Sequence, residues 1–245
     1  MSAKRLYGLI GFPLGHTFSP GYFNGKFVRE GINAEYKAFS IATVSELHQL
    51  LELYPDLSGL NVTTPYKEQV IPLLDECDNI AATIGAVNCI KITEGKTKGF
   101  NTDIIGFEQS LLPLLKPGMD KAIVLGTGGA ARAVKYVLDK NKVSYTSVSR
   151  VEKDGVLSYT ELTDEIIVTH KLIINTTPLG MYPFTESYPP IPYSVLGHQH
   201  LLYDLIYNPE FTIFLQKGKQ QGAMVKNGMQ MLELQADASW EIWNS

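Results

Sequence analysis

Short runs rich in β-branched and aromatic residues alternate along this chain with stretches in which apolar residues recur every three or four positions. From the N-terminus the pattern predicts a strand over "RLYGLIG", a helix from Ser19 to Glu30, a strand over "EYKAFS", a helix from Thr43 to Leu53 and a strand over "SGLNV". That βαβαβ order implies a largely parallel sheet. Thr64 and Pro65 read as a helix start, a hydroxyl cap followed by a ring that presets φ, which sets Lys67 in the first turn. "GAVNCIKIT" and "KTKGFN", separated by Glu94 and Gly95, read as a hairpin. An apolar-periodic helix then runs from Asp103 to about Leu115 and stops before "KPG", where it bridges two lobes.

A second βα series opens with "KAIVLGTGGAARAVKYVLDK", an apolar strand that turns through glycines into a helix, and continues through "SYTSVSR", "KLIINTT" and "HLLYDLIYN" with short helices. The last segment, Met229 to Trp243, is amphipathic, with Trp240 and Trp243 as packing anchors, and is expected to return to the first lobe. The expected fold is therefore α/β and two-lobed. Its first domain spans residues 1–103, completed by 226–245, and a Rossmann-like domain spans 104–225.

Composition narrows the function classes. A 245-residue chain that is 44% hydrophobic has enough apolar material for more than one core. A net charge of −4 with no Lys/Arg stripe offers nothing to a polyanion, so nucleic acid is not an expected partner. No apolar run approaches 18 residues, and the N-terminal one is broken by Gly8, Gly11 and Pro13, so neither a membrane span nor an export signal is expected. Two cysteines, Cys77 and Cys89, make no disulfide framework and no zinc spacing, which suits a reducing cytoplasm. His198 and His200 lack a third ligand and read as surface or edge residues, so no metal is expected; His16 reads as loop support.

The glycine turn carries the clearest chemistry. Gly126, Gly128 and Ala131 fill G-x-G-x-x-G/A directly after a strand and at the start of a helix, where the backbone can approach a pyrophosphate and helix N–H groups can bind it. At the end of the second strand of this series, where an NAD binder carries Asp or Glu, stand Ser149 and Arg150, followed by Lys153. A guanidinium beside an ammonium suits a 2′-phosphate and favours NADP; a solvated loop arginine is the other reading. Asn175, Thr176 and Thr177 end a strand of the same sheet, where open sheets bind ligands.

A dinucleotide implies hydride transfer, and reducing a carbonyl needs a proton donor. The macrodipole penalises a cation in a first helical turn by roughly 0.3–1 kcal/mol, so Lys67 calls for a chemical reason to be there. Asp103 is its candidate partner, or else the plain N-cap of the bridging helix.

Eight segments, "GHTFSP", "NVTTPYKE", "GAVN", "FNTD", "GTGGAARA", "NTTPLGM", "YDLIYNP" and "NGMQMLELQA", follow the order and spacing of shikimate dehydrogenases. The sequence resembles that family over nearly its whole length. The resemblance implies NADP-dependent reduction of 3-dehydroshikimate, with the first domain binding substrate and the second NADP. It implies Thr17 and Ser19 at the substrate carboxylate. It places Asn61, Thr63, Asn88 and Asp103 around the ring hydroxyls, completed by Tyr207 and Gln235, and makes Lys67 and Asp103 the catalytic pair. It adds Gly129, Ala130, Leu205 and Gly228 to the cofactor contacts, and implies a monomer or homodimer acting on small molecules.

Two positions depart from the family pattern. Family members carry Ser where this chain has Thr17, which keeps the hydroxyl. They also continue after "SVSR" into a basic helix, for which "VEKDGVLSYTEL" is too short to accommodate both helix and next strand. A quinate/shikimate dehydrogenase-like paralogue using NAD or both cofactors is the enzymatic alternative. A redox-sensing module that holds NADP(H) without turnover is the non-enzymatic one.

Overall fold

The computed structural model describes residues 4–15, 17–151 and 154–245. His16, Glu152 and Lys153 therefore lie outside the described residues. The chain forms two compact units, Met1–Thr102 with Ala236–Ser245, and Asp103–Gln235. No described helix is long and apolar enough to cross a membrane.

The first unit holds a six-stranded sheet in the order β2-β1-β3-β5-β6-β4, built from β1 (Arg5–Gly11), β2 (Ala34–Ser40), β3 (Leu57–Val62), β4 (Glu76–Cys77), β5 (Cys89–Thr93) and β6 (Lys96–Phe100). β1 is parallel to β2 and β3, but β5 runs antiparallel to both β3 and β6. The sheet is thus mixed, not largely parallel as the βαβαβ pattern suggested. β1 to β3 are parallel, but β5 pairs antiparallel with β3, and the two-residue connection at Glu94 (φ 52) and Gly95 (φ 76) folds β6 straight back on β5.

Period-2 alternation sorts the core. Leu6 and Ile10 of β1 face one apolar cluster with Leu47, Leu50, Leu60 and Val70, whereas Tyr7 and Leu9 face another with Phe23, Phe27, Tyr36 and Trp243. The second cluster is covered by α1 (Phe18–Glu30) and the C-terminal part of α8 (Met229–Asn244). Trp243 stacks on Tyr7 with ring centroids 4.9 Å apart and donates its Nε1 hydrogen to the Ile90 carbonyl at 3.0 Å, so both tryptophans of α8 are packing anchors, with Trp240 edge-on to Tyr7.

The segment around Lys67 differs from expectation. No α-helix starts at Thr64; residues 64–70 are consecutive turns, followed by one 3-10 turn at Ile71–Leu73. The cause is tertiary. The Lys67 carbonyl, which a helix would spend on the Ile71 N–H, instead accepts from Val87 N at 2.7 Å. The Tyr66 hydroxyl donates to the Ile41 carbonyl at 2.7 Å, anchoring the segment to the residue that follows β2. The macrodipole argument for Lys67 therefore does not apply. Helix α2 (Glu46–Leu53) begins later than Thr43, and α3 (Asn79–Ile84), capped by the Asp78 side chain, was not anticipated.

The second unit is an all-parallel sheet in the order β12-β11-β10-β7-β8-β9, from β7 (Lys121–Leu125), β8 (Ser144–Ser149), β9 (Val156–Ser158), β10 (Leu172–Asn175), β11 (Leu201–Asp204) and β12 (Met224–Lys226). Counted from β7, this is the 3-2-1-4-5-6 order of doubly wound dinucleotide-binding folds. β9 and β12, three residues each, carry too little periodicity to be read from the pattern. No helix lies between β8 and β9 among the described residues, as the short spacing implied. The other helices are α4 (Asp103–Leu111), α5 (Gly129–Lys140), α6 (Asp164–Thr169) and α7 (Ile213–Gln220). α4 is shorter than expected because Pro113 has no N–H to continue it, and the chain passes into a 3-10 turn at Leu112–Leu114. Asp103 is the first helical residue of α4 and not a residue ahead of it. His198 is exposed, but His200 is fully buried, its ring at 3.2 Å from the Ile167 carbonyl, and is a core residue and not the edge residue expected.

Candidate active site

In the first unit the ends of β3, β5 and β6 and the last helix bring polar side chains together under the sheet's apolar cover. The Tyr36 hydroxyl donates to Asn61 Oδ1 at 2.7 Å, and Asn61 Nδ2 donates to Ser239 Oγ at 2.9 Å. Asn88 Nδ2 donates to Thr102 Oγ1 at 3.0 Å, while Asn88 Oδ1 accepts from Thr102 N at 2.6 Å. Thr102 and Ser239 hydroxyl oxygens are 3.1 Å apart, closing the chain of bonds. Ser19 joins it at the other end, hydrogen-bonded to the Tyr36 hydroxyl; burial pushes that phenol well above its ordinary range, and the Ser19 bond offsets part of the shift. All six side chains are buried, yet every one is neutral and hydrogen-bonded, so the row exacts little desolvation penalty. Cys89, adjoining it, has its thiol pushed up to about 12 by burial, against hydrogen bonds to Ser239 and Trp243, and is not a nucleophile.

The other expected substrate residues differ in setting. Thr17 is the N-terminal flanking residue of α1, in extended conformation, and its hydroxyl makes no capping bond. Thr63 follows β3, with its N–H bonded to the Ile10 carbonyl at 2.9 Å. Lys67 is half-buried on its turn, Asp103 is buried, and Tyr207 is half-buried after β11. Gln235 Nε2 donates to the Leu232 carbonyl at 2.9 Å, one turn back along α8.

In the second unit Gly126, Gly128, Gly129, Ala130 and Thr176 gather at the C-terminal ends of β7 and β10, the place where the strand order reverses. Gly126 has φ 110, and a Cβ on it would lie 2.5 Å from Thr176 Oγ1, so only glycine fits. Thr176 is tied to β7, donating from both N (2.9 Å) and Oγ1 (2.6 Å) to the Leu125 carbonyl. Gly128 is the N-cap of α5, with open space above it, no side-chain capping bond and no acidic residue in the following turn, and Gly129 and Ala130 open the helix. Uncapped N–H groups at the start of a 12-residue helix fit a pyrophosphate. Leu205 N donates to the Asn175 carbonyl at 3.0 Å, and a side chain on Gly228 would overlap the Leu205 carbonyl. At the far end of β8, Arg150 is exposed, while the Ser149 hydroxyl is engaged with Val151 N at 3.2 Å.

With this geometry in hand, relatedness decides the family. Residues 9–90 match the model of the shikimate dehydrogenase substrate binding domain. The NADP(+) shikimate dehydrogenase of Aquifex aeolicus is 38% identical over 98% of this chain and 91% of its own length. The chain belongs to the shikimate dehydrogenase family. Among solved structures, the shikimate 5-dehydrogenase of Thermus thermophilus in complex with NADP(H) and shikimate is similar with a TM-score of 0.85 and 29% identity, over 98% of this chain and 93% of that one. The quinate dehydrogenase of Corynebacterium glutamicum in complex with NAD reaches a TM-score of 0.86 at 28% identity, over 98% and 93%. The shikimate dehydrogenase fold therefore spans essentially the whole chain.

Three members of the polar row were not foreseen from the sequence. Tyr36 and Ser239 carry no motif and lie 25 positions before and 178 positions after Asn61. Thr102 lies inside "FNTD", where the neighbouring Asp103 is the residue whose chemistry the motif points to. Among the described residues no group of three His, Cys, Asp or Glu side chains could hold a metal.

Proposed function

We propose that this protein is an NADP-dependent shikimate dehydrogenase, interconverting shikimate and 3-dehydroshikimate. The observation that carries the reading is the buried row of neutral donors and acceptors in a chain of this family. A polyhydroxylated ring acid needs many such groups and no fixed charge around its hydroxyls. Gly126, Gly128, Gly129, Ala130, Thr176, Leu205 and Gly228 would hold the cofactor, with Ser149 and Arg150 at its 2′-phosphate, and NADPH supplies a hydride when bound.

Reduction also needs a proton at the ketone oxygen. Lys67 is assigned that role, its ammonium giving the proton during reduction and its amine taking it back during oxidation, with Asp103 orienting it. Thr17 and Ser19 would bind the carboxylate. The Tyr36 proton goes to Asn61, so in the free protein Ser19 donates to Tyr36 and would turn that proton to the arriving carboxylate. Asn61, Thr63 and Asn88 would contact ring hydroxyls, assisted by Tyr207 and Gln235. The reading assigns small-molecule partners only and a monomer or homodimer, and the two unpaired cysteines suit a reducing cytoplasm.

The test is formation of reduced cofactor from shikimate and NADP+ by the purified full chain, followed by its absorbance. Turnover is expected. No turnover with shikimate and NADP+, alongside turnover with quinate or with NAD+ as the cofactor, would replace this reading with the quinate-type one; tight NADP(H) binding with no turnover on either substrate would favour the sensing module.

A further inference from the structure

Asn61 has three of its four hydrogen-bonding positions already engaged. A carboxamide offers two N–H donors and two oxygen lone pairs. Here Oδ1 accepts from the Tyr36 hydroxyl at 2.7 Å, and Nδ2 donates to Ser239 Oγ at 2.9 Å and to the Asn88 carbonyl at 3.3 Å. What remains is the second lone pair of Oδ1. The opposite amide flip would set Oδ1 against the Asn88 carbonyl, two acceptors with no proton between them, and would face the Tyr36 proton with N–H groups.

From this we infer that Tyr36 and Ser239 are positioning residues that hold the Asn61 carboxamide in one flip state, so that the pocket offers a ligand only a carbonyl acceptor at that point and selects a hydroxyl donor there. The inference rests on the reading of Asn61 as a substrate contact. It has a chemical corollary. The reacting carbon alternates between ketone and alcohol, and an acceptor-only neighbour would oppose the ketone, so Asn61 must face a ring hydroxyl that keeps its proton in both oxidation states. An analogue with a methoxy or keto group at that ring position would leave two acceptors facing each other in a buried site and be rejected.

Tyr36→Phe probes the anchor directly, and it also removes the acceptor of the Ser19 hydroxyl. It removes one oxygen while keeping the ring stacked on Phe23, with centroids 4.6 Å apart and planes 12° from parallel. Ser239→Ala removes the opposite anchor. Kinetic constants of the full chain with shikimate and NADP+ should show KM for shikimate raised about 10-fold in each, with KM for NADP+ and kcat within about twofold of wild type. Tyr36 also accepts from Ser19 and Ser239 also contacts Thr102, but the shared route is the Asn61 amide, so in an Asn61→Ala background the Tyr36→Phe effect on KM should shrink. Single variants with unchanged shikimate KM, a rise in both KM values together, or an undiminished Tyr36→Phe effect in the Asn61→Ala background would overturn the inference while the wild type still turns over. A wild type without shikimate turnover would instead overturn the functional reading, and the inference with it. Should Ser239→Ala fail to fold, the Tyr36 and Asn61 pair decides alone.

Discussion

The Asp204 carboxylate accepts a 2.6 Å hydrogen bond from the Thr212 hydroxyl, and both side chains are shut away from water. Oδ1 of the same carboxylate accepts from Asn175 Nδ2 at 3.0 Å and Ile206 N at 3.1 Å, joining the ends of β10 and β11 behind the Leu205 backbone. Burial pushes the Asp204 carboxyl up to about 6, against the pull of those three donors.

An acid that holds its proton more tightly when folded adds stability below its unfolded value, near 3.8, and loses that contribution as pH rises through about 6. Asp204→Asn mimics the protonated form. The variant should therefore gain on wild type between pH 4 and 7, by about 3 kcal/mol for a shift of about two units. Denaturant midpoints across that range would check it; parallel pH profiles would contradict it.

Lys67→Ala should lower kcat by about 100- to 10,000-fold while leaving shikimate affinity largely intact, the usual cost of losing one general acid/base. Binding measured by calorimetry separates the two effects. Near-normal turnover would remove Lys67 from the mechanism.

Arg150→Asp should shift the preference for NADP+ over NAD+ on the order of 10- to 100-fold, because one charge-assisted hydrogen bond to a phosphate is replaced by repulsion. The ratio of kcat/KM values for the two cofactors reads this directly. An unchanged ratio would make Arg150 a solvated loop residue.

Tyr7 is fully buried, and its hydroxyl has no hydrogen-bond partner among the described residues. Tyr7→Phe keeps the stack on Trp243 and removes a buried unsatisfied group. It should raise stability by about 1 kcal/mol, visible as a higher midpoint of chemical unfolding. A fall in midpoint would mean that the hydroxyl is satisfied in solution.

Local rules made much of this architecture legible. Strand–glycine–helix order identified β7, the turn at Gly126 and Gly128 and the start of α5, because each feature depends on residues adjacent in sequence. The hairpin at Glu94 and Gly95 was legible for the same reason. The Lys67 segment was misread because Thr-Pro is a good local helix start, whereas the deciding bond, Val87 N to the Lys67 carbonyl, comes from 20 residues away. His200 differs likewise: the residues before it are polar, but the Ile167 carbonyl that takes its ring lies 33 positions back.

By itself the sequence determined the two βα series, the dinucleotide turn and the family, since periodicity, glycine placement and ordered motifs are properties of contiguous residues. Only the tertiary structure decided that the first sheet is mixed, that Lys67 stands on a turn, and that Tyr36, Thr102 and Ser239 join Asn61 and Asn88. Hydrogen bonds between residues as much as 178 positions apart form only once strands and the last helix have packed, and no local propensity encodes them.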